Sequence, residues 1–236
     1  MSDNIDHRVS GSLHPDIVNN VEGYDEETSS ILAGVRAAFA EAYRHFGQLH
    51  DAAQAAKEDP TLTEAAQLLQ TADFGSKVIA VVAPKFDSAR KNLESVVEGI
   101  EREFSAPLEG QTHGVLSGEI RSFCKGLDTG ERMDFVRKAI LDGDTRSASA
   151  VLGAPAYLSG LTPEMQQVLT RMFHAHHHPL QEKRLKVAKA GLELLDRNAG
   201  LIFKEVEKAV GPNARKIEHI RNKKAAASKA MTLPKA

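Results

Sequence analysis

The sequence predicts an all-α protein: an elongated helical bundle of three long helices, 28–58, 62–104 and 180–210, with a small helical subdomain inserted between the second and third. Three observations predict it. Apolar residues recur in unbroken steps of three and four over long stretches, the period of one helix face. No period-two, β-branched run bounded by turn residues occurs in the chain. The stretch between the second and third long helices is cut into short pieces by glycines, and each piece opens on a capping residue.

The first helix is expected to start near Asp25–Thr28, with Glu26 and Glu27 in its first turn, where the helix dipole favours carboxylates. Its stripe is Leu32, Val35, Phe39, Ala42, Phe46, Leu49, Ala53 and Ala56, a 3.5-residue repeat sustained over more than three heptads. At 1.5 Å per residue, about thirty residues make a helix of ~45 Å. Pro60 ends it. Thr61 and Glu64 then match a capping box. The second stripe runs Leu62, Ala65, Leu69, Ala72, Ile79, Ala83 and Phe86, and continues through Ala89, Leu93, Val96 and Ile100. Pro84 removes one backbone donor within it and crowds the preceding turn. Two successive three-residue steps at that point predict a slipped register, giving one kinked helix or two helices meeting at the proline.

Residues 105–179 form a compact short-helix subdomain, with helices near 115–125, 130–141, 145–152 and 163–177. Asp128, Asp144 and Thr162 are their N-caps, and Pro163 suits a first helical position. The last long helix carries Leu185, Ala188, Leu192, Leu195, Ala199, Ile202, Val206 and Ala209, and Gly211-Pro212 stops it. The domain plan is therefore an extended or loosely ordered acidic arm (1–24), a long helical hairpin (25–104), the subdomain (105–179), a helix completing the bundle (180–211) and a basic tail (212–236).

Composition narrows the function. The 236 residues are 42% hydrophobic and 26% charged, with no Trp, three Tyr and nine Phe, so the core is mainly aliphatic. No apolar run reaches the ~18 residues of a membrane span, and the acidic N-terminus lacks the apolar segment of a secretory signal. A single cysteine, Cys124, excludes an internal disulfide and a cysteine zinc cage. Charge is uneven. Residues 1–30 hold seven acids and one base, a net of −6, whereas residues 181–236 hold fourteen bases and six acids, a net of +8. From Arg215 to the end there are seven bases and one acid. This tail reads as a solvated helix end fraying into disorder, or as an arm contacting an acidic partner or nucleic acid through Arg215, Lys216, Arg221, Lys223 and Lys224. It carries no aromatic residues for base stacking.

His174-Ala175-His176-His177-His178 is the most conspicuous local cluster. His174 and His178 stand four apart and share a helix face, a spacing that holds two ligands of a zinc-like ion. A third ligand would come from His113 or Glu164. Pro179 follows at once, so the alternative is a polar helix end with histidines near its negative dipole. Cys124 lacks a spaced catalytic partner and reads as a buried thiol. Gly114-Val115-Leu116-Ser117-Gly118 has the letters of a nucleophile elbow but no preceding strand. No phosphate loop or dinucleotide fingerprint is present, and no cofactor is implied.

The run Ala139-Ile140-Leu141-Asp142-Gly143-Asp144, with Ala150 through Glu164 (Ala-Val-Leu-Gly-Ala-Pro-Ala-Tyr-Leu-Ser-Gly-Leu-Thr-Pro-Glu), resembles a stretch of uncharacterised α-helical bacteriophage and prophage proteins. The resemblance covers roughly a tenth of the chain and implies a virion or phage-assembly context, with assembly in the host cytoplasm. The expected function is a non-enzymatic structural or assembly subunit, a homo-oligomer within a larger complex of other protein subunits, without membrane contact. The alternatives are a metal-dependent hydrolase using His174 and His178, and a nucleic-acid-associated protein using the basic tail.

Overall fold

The computed structural model describes residues 6–108 and 114–231. The protein is all-α, 79% helical, with no strand among the described residues. Nine α-helices occur there: α1 Ala33–Glu58, α2 Glu64–Phe104, α3 Val115–Gly126, α4 Thr129–Leu141, α5 Thr145–Leu152, α6 Pro163–His177, α7 Pro179–Ala199, α8 Leu201–Val210 and α9 Ala214–Ala230. No helix among the described residues is long and apolar enough to cross a membrane. The chain divides into two compact units, one of residues 1–94 and 187–236, the other of residues 95–186. Both boundaries fall inside helices, α2 and α7.

In the first unit, all eight predicted stripe residues of α1 are buried, with Phe39 and Phe46 fully so. Phe39 meets Phe86 of α2 edge-on, ring centres 5.0 Å apart. Helices approach closely where glycine removes a side chain. A Cβ on Gly75 would lie 2.8 Å from Val206 of α8, and one on Gly191 would lie 2.5 Å from Leu32 and 3.0 Å from Leu93.

Three helix boundaries differ from the sequence expectation, each for a local reason. α1 begins at Ala33, not near 28, because residues 25–32 form turns held by three-residue steps, Thr28 N–H to Asp25 C=O and Ile31 N–H to Thr28 C=O. The buried Thr28 hydroxyl donates to Gly23 C=O at 2.8 Å and locks that turn. α2 is capped by Thr63, whose hydroxyl accepts from Ala66 N–H, while Thr61 bonds back to Asp59, so the capping box is not formed at Thr61. The third long helix is two: α7 and α8 break at Gly200. Just before the break, buried Asn198 turns its amide onto Leu194 C=O at 3.0 Å. The stripe shifts with it. Ala199 is exposed, and Asn198 and Glu205 take inner positions.

Pro84 lies inside a continuous α2, on its exposed side. The inner line there is Val78, Val82, Phe86, Ala89 and Leu93 rather than Ile79 and Ala83. Its steps are four, four, three and four, so the register does not slip at the proline. Pro84→Ala is accordingly expected to raise the melting temperature. It restores a helix donor at a solvent-facing site, and proline costs up to ~3 kcal/mol relative to alanine in a helix interior. Calorimetry checks this, and a lower melting temperature would mean the proline ring is packed.

Residues 6–21 are not a loose arm. They form short three-residue-turn helices, Gly11–Leu13 and Pro15–Asn20, that lie along α1 with Val9, Leu13 and Val18 buried. The aliphatics anchor them, and polar contacts fix the direction. Tyr43 hydroxyl accepts from Asp6 N–H at 2.7 Å, and Arg36 pairs with Asp16 at 2.9 Å. Arg8 pairs with both Asp6 and Asp51. The Arg8 guanidinium hydrogen-bonded to Asp6 is the main cause that lowers its carboxyl to about 2. A carboxyl with a depressed folded-state pKa contributes stability above its unfolded value and loses it as pH falls. The stability gap between the wild type and Asp6→Asn is therefore expected to stay constant from neutrality to about pH 5 and to close between about pH 4 and 2. Melts across that range measure it. A gap that persists at the acid end would dissociate Asp6 from the strap.

In the second unit, Cys124, Val136, Ile140, Val151, Leu169 and Phe173 centre the core. α3 to α6 begin or end within a residue of the predicted positions. Asp128 with Glu131 makes a capping box, and Asp144 and Thr162 accept from the third backbone N–H of their helices. Gly143, at φ 73°, turns the chain between α4 and α5 in a conformation that favours glycine.

Candidate functional site

The histidine cluster closes α6. His174 is stacked near Phe104 and has Nε2 2.9 Å from Ala106 C=O. His177 stacks on Phe173 with ring centres 4.0 Å apart and places Nδ1 2.9 Å from Phe173 C=O. His178 is the C-cap residue, its ring roughly parallel to His174 at 6.2 Å. These contacts occupy the imidazoles with backbone and aromatic partners at a helix C-terminus.

Glu164, one of the two suggested third ligands, sits in the first turn of the same helix, ten residues from His174 or about 15 Å along the axis. Its carboxyl is lowered by hydrogen bonds from its own backbone N–H and the Thr162 hydroxyl. The other, His113, lies outside the described residues. Among the described residues no group of three or more His, Cys, Asp or Glu could hold a metal. Cys124 is fully buried, and burial pushes its thiol up, away from the reactive thiolate.

The basic residues gather differently. α9 runs as a regular helix to Ala230 rather than fraying after its first turns. It lies antiparallel along the first part of α2. Ile217 and Ile220 are its half-buried residues, and Arg221 pairs with Asp73. Every residue from Arg221 to Met231 is exposed. Six bases and one acid between Ala214 and Ala230 give the helix a net +5. Arg215 and Lys216 stand on its first turn, Lys223 and Lys224 two turns further on.

Beside this helix lies an open cleft of about 970 Å³ formed by α2, α8 and α9. Ile79, Phe203, Val206, Val210 and Ile217 supply an apolar floor, with Arg215 and Lys216 on its margin. Phe203 is 61% exposed, unusual for a phenylalanine. A shorter groove continues under Ile220, Lys223 and Lys224 against Ala65–Asp73. The five predicted contact residues thus share one helix, and all five line these two grooves, Arg215, Lys216 and Arg221 the first and Lys223 and Lys224 the second. The charges lining the cleft are mixed, Arg215, Lys216 and Arg221 beside Glu207 and Glu218, so its apolar floor rather than a continuous basic track sets it apart from a phosphate-binding surface.

A buried pair escaped the sequence. Glu205 of α8 accepts Ser10 N–H at 3.1 Å, and its other oxygen faces His50 Nε2 of α1 at 3.6 Å, with the side chains 5% and 12% exposed. It fastens the N-terminal strap to the bundle. The available signal was a glutamate at an inner helical position, three residues after Ile202. Phe203 was missed because it lies one residue off buried Ile202, and Ile79, expected in the inner stripe, cedes that place to Val78. No family model, no curated protein and no solved structure matches the chain.

Proposed function

We propose that this chain is a non-enzymatic structural or assembly subunit of a larger complex, and, given the resemblance of residues 139–164, a bacteriophage virion component built in the host cytoplasm. The observation that carries this proposal is α9: a 17-residue helix of net +5 whose last ten residues are all exposed, flanked by an apolar cleft. A helix of that kind is suited to docking rather than to chemistry. The conspicuous reactive groups have structural partners instead, the histidines on backbone carbonyls and rings, Cys124 in the core of the second unit. The architecture belonging to this proposal is a bundle of three long helical segments, α1, α2 and α7–α8, with the short-helix subdomain inserted between the second and third.

The test is to tag the chain at its native locus and separate cell contents on a density gradient during particle production. Recovery with the particles at a fixed copy number per particle is expected. Recovery only as free chain at every stage would overturn the assignment.

A further inference from the structure

The first unit carries two complementary surfaces at opposite ends of its helices. One is the α2–α8–α9 cleft, with an apolar floor and three bases, Arg215, Lys216 and Arg221, against two acids, Glu207 and Glu218, in its lining. The other is the turn leading into α1. There Glu22 and Glu26 are exposed beside half-buried Val21 and Tyr24, so an acidic rim surrounds apolar side chains. Asp25 and Glu27, also exposed, add to the same corner.

Their separation follows from the packing. The strap runs antiparallel to α1, from Asp6 and Arg8 by Asp51 to Asp16 by Arg36. It reaches Leu32, which lies against Gly191 close to Leu93 of α2. α9 is held at Asp73 of the same helix. The cleft extends along α2 to Ile79, and fourteen residues separate Ile79 from Leu93, about 21 Å at 1.5 Å per residue. That is more than twice the ~8 Å screening length of physiological salt, so the two charged ends of one chain do not neutralise each other.

We propose that the acidic turn of one copy, residues 21–27, docks into the α2–α8–α9 cleft of a second copy. Glu22 and Glu26 pair with Arg215 and Lys216, and Val21 and Tyr24 cover the apolar floor by Phe203 and Ile79. The occupant is a second copy because the chain itself carries the matching surface: its acidic turn supplies carboxylates for Arg215 and Lys216 and apolar side chains to cover the cleft floor. The two faces differ, so the contact is heterologous and propagates head to tail, closing a ring or extending a filament as the rotation dictates. This inference rests on the assembly function proposed above.

The test uses the full chain in sedimentation velocity over a range of concentrations, in about 0.1 M and about 1 M salt, where screening lengths are ~10 and ~3 Å. Reversible association at low salt, loosened at high salt, is expected. The reversals Arg215→Glu with Lys216→Glu, and Glu22→Lys with Glu26→Lys, change only exposed residues, and circular dichroism melts confirm that both variants fold. Each alone is expected to associate about tenfold more weakly or worse. An equimolar mixture of the two, which restores opposite charges across each contact, is expected to associate again. A wild type that stays monomeric at every concentration, reversals without effect, or a mixture that does not recover would each overturn the contact. None of these would remove the chain from its particle fraction, so failure here is separable from failure of the proposed function.

Discussion

Phe39→Asp is expected to abolish the cooperative thermal transition of the first unit. Phe39 is fully buried in mid-α1, its ring edge-on to Phe86 and flanked along the helix by Val35, Ala42 and Phe46, all within 1% of full burial. Two costs add. Removing the ring leaves a cavity, and Phe-to-Ala changes in cores already cost about 3–5 kcal/mol. The new carboxylate must then be desolvated without a partner or take up a proton, at a further cost of several kcal/mol. The total is comparable to the whole stability of a typical domain, about 5–15 kcal/mol. Leu195→Asp, at 2% exposure in α7, follows the same logic. Circular dichroism melts check both. A melting temperature within a few degrees of wild type would show that these positions are not in the core.

The reason such a prediction is available from the sequence is also the reason others were not. In α1 the repeat is dense, with eight apolar residues in register and no polar interruption, and all eight are buried. The short helices of the second unit were equally legible, because Asp128, Asp144, Thr162 and Pro163 announce where backbone donors need a partner. Legibility fails where two residues compete for one inner position. Along α2, Val78 and Ile79, or Val82 and Ala83, satisfy the period equally well, and only packing selects the first of each pair. It also fails where a polar residue is buried by a distant contact. Glu205 and Asn198 sit inside because Ser10 N–H and Leu194 C=O satisfy them. The N-terminal strap was illegible for the same reason: its turns have no period, and they are ordered by Tyr43, Asp51 and Arg36 on another element. The candidate site was half legible. Its basic residues are plain in the sequence, but the apolar cleft beside them exists only once α8 and α9 are laid on α2.

Arg132→Ala is expected to be the most damaging polar substitution in the second unit, although arginine in the first turn of a surface helix ordinarily reads as a solvated charge. Its guanidinium donates to four backbone carbonyls: Nε to Cys124 at 3.1 Å, Nη2 to Lys125 at 3.1 Å and Leu127 at 2.6 Å, and Nη1 to Gly160 at 2.5 Å. Cys124, Lys125 and Leu127 are the end of α3, where the last carbonyls have no helical partner and the dipole is negative. One planar cation therefore caps α3 and ties it to the loop before α6. Gly160 admits it by having φ 71° and no side chain, since a Cβ there would lie 3.0 Å from the guanidinium carbon. Hydrogen bonds to a charged group contribute about 1.5–3 kcal/mol each. They are not additive here, and water replaces some at this half-buried site, so a loss of about 2–4 kcal/mol is expected. Arg132→Lys separates charge from geometry. An ammonium keeps the attraction to the helix end but cannot reach four carbonyls in one plane, so it should recover less than half of the loss. Denaturant melts of the three proteins measure this, with hydrogen exchange at the α3 C-terminus as the local readout. Full recovery by lysine would reduce the contact to simple dipole compensation, and an unchanged alanine variant would leave the α3 terminus held by packing alone.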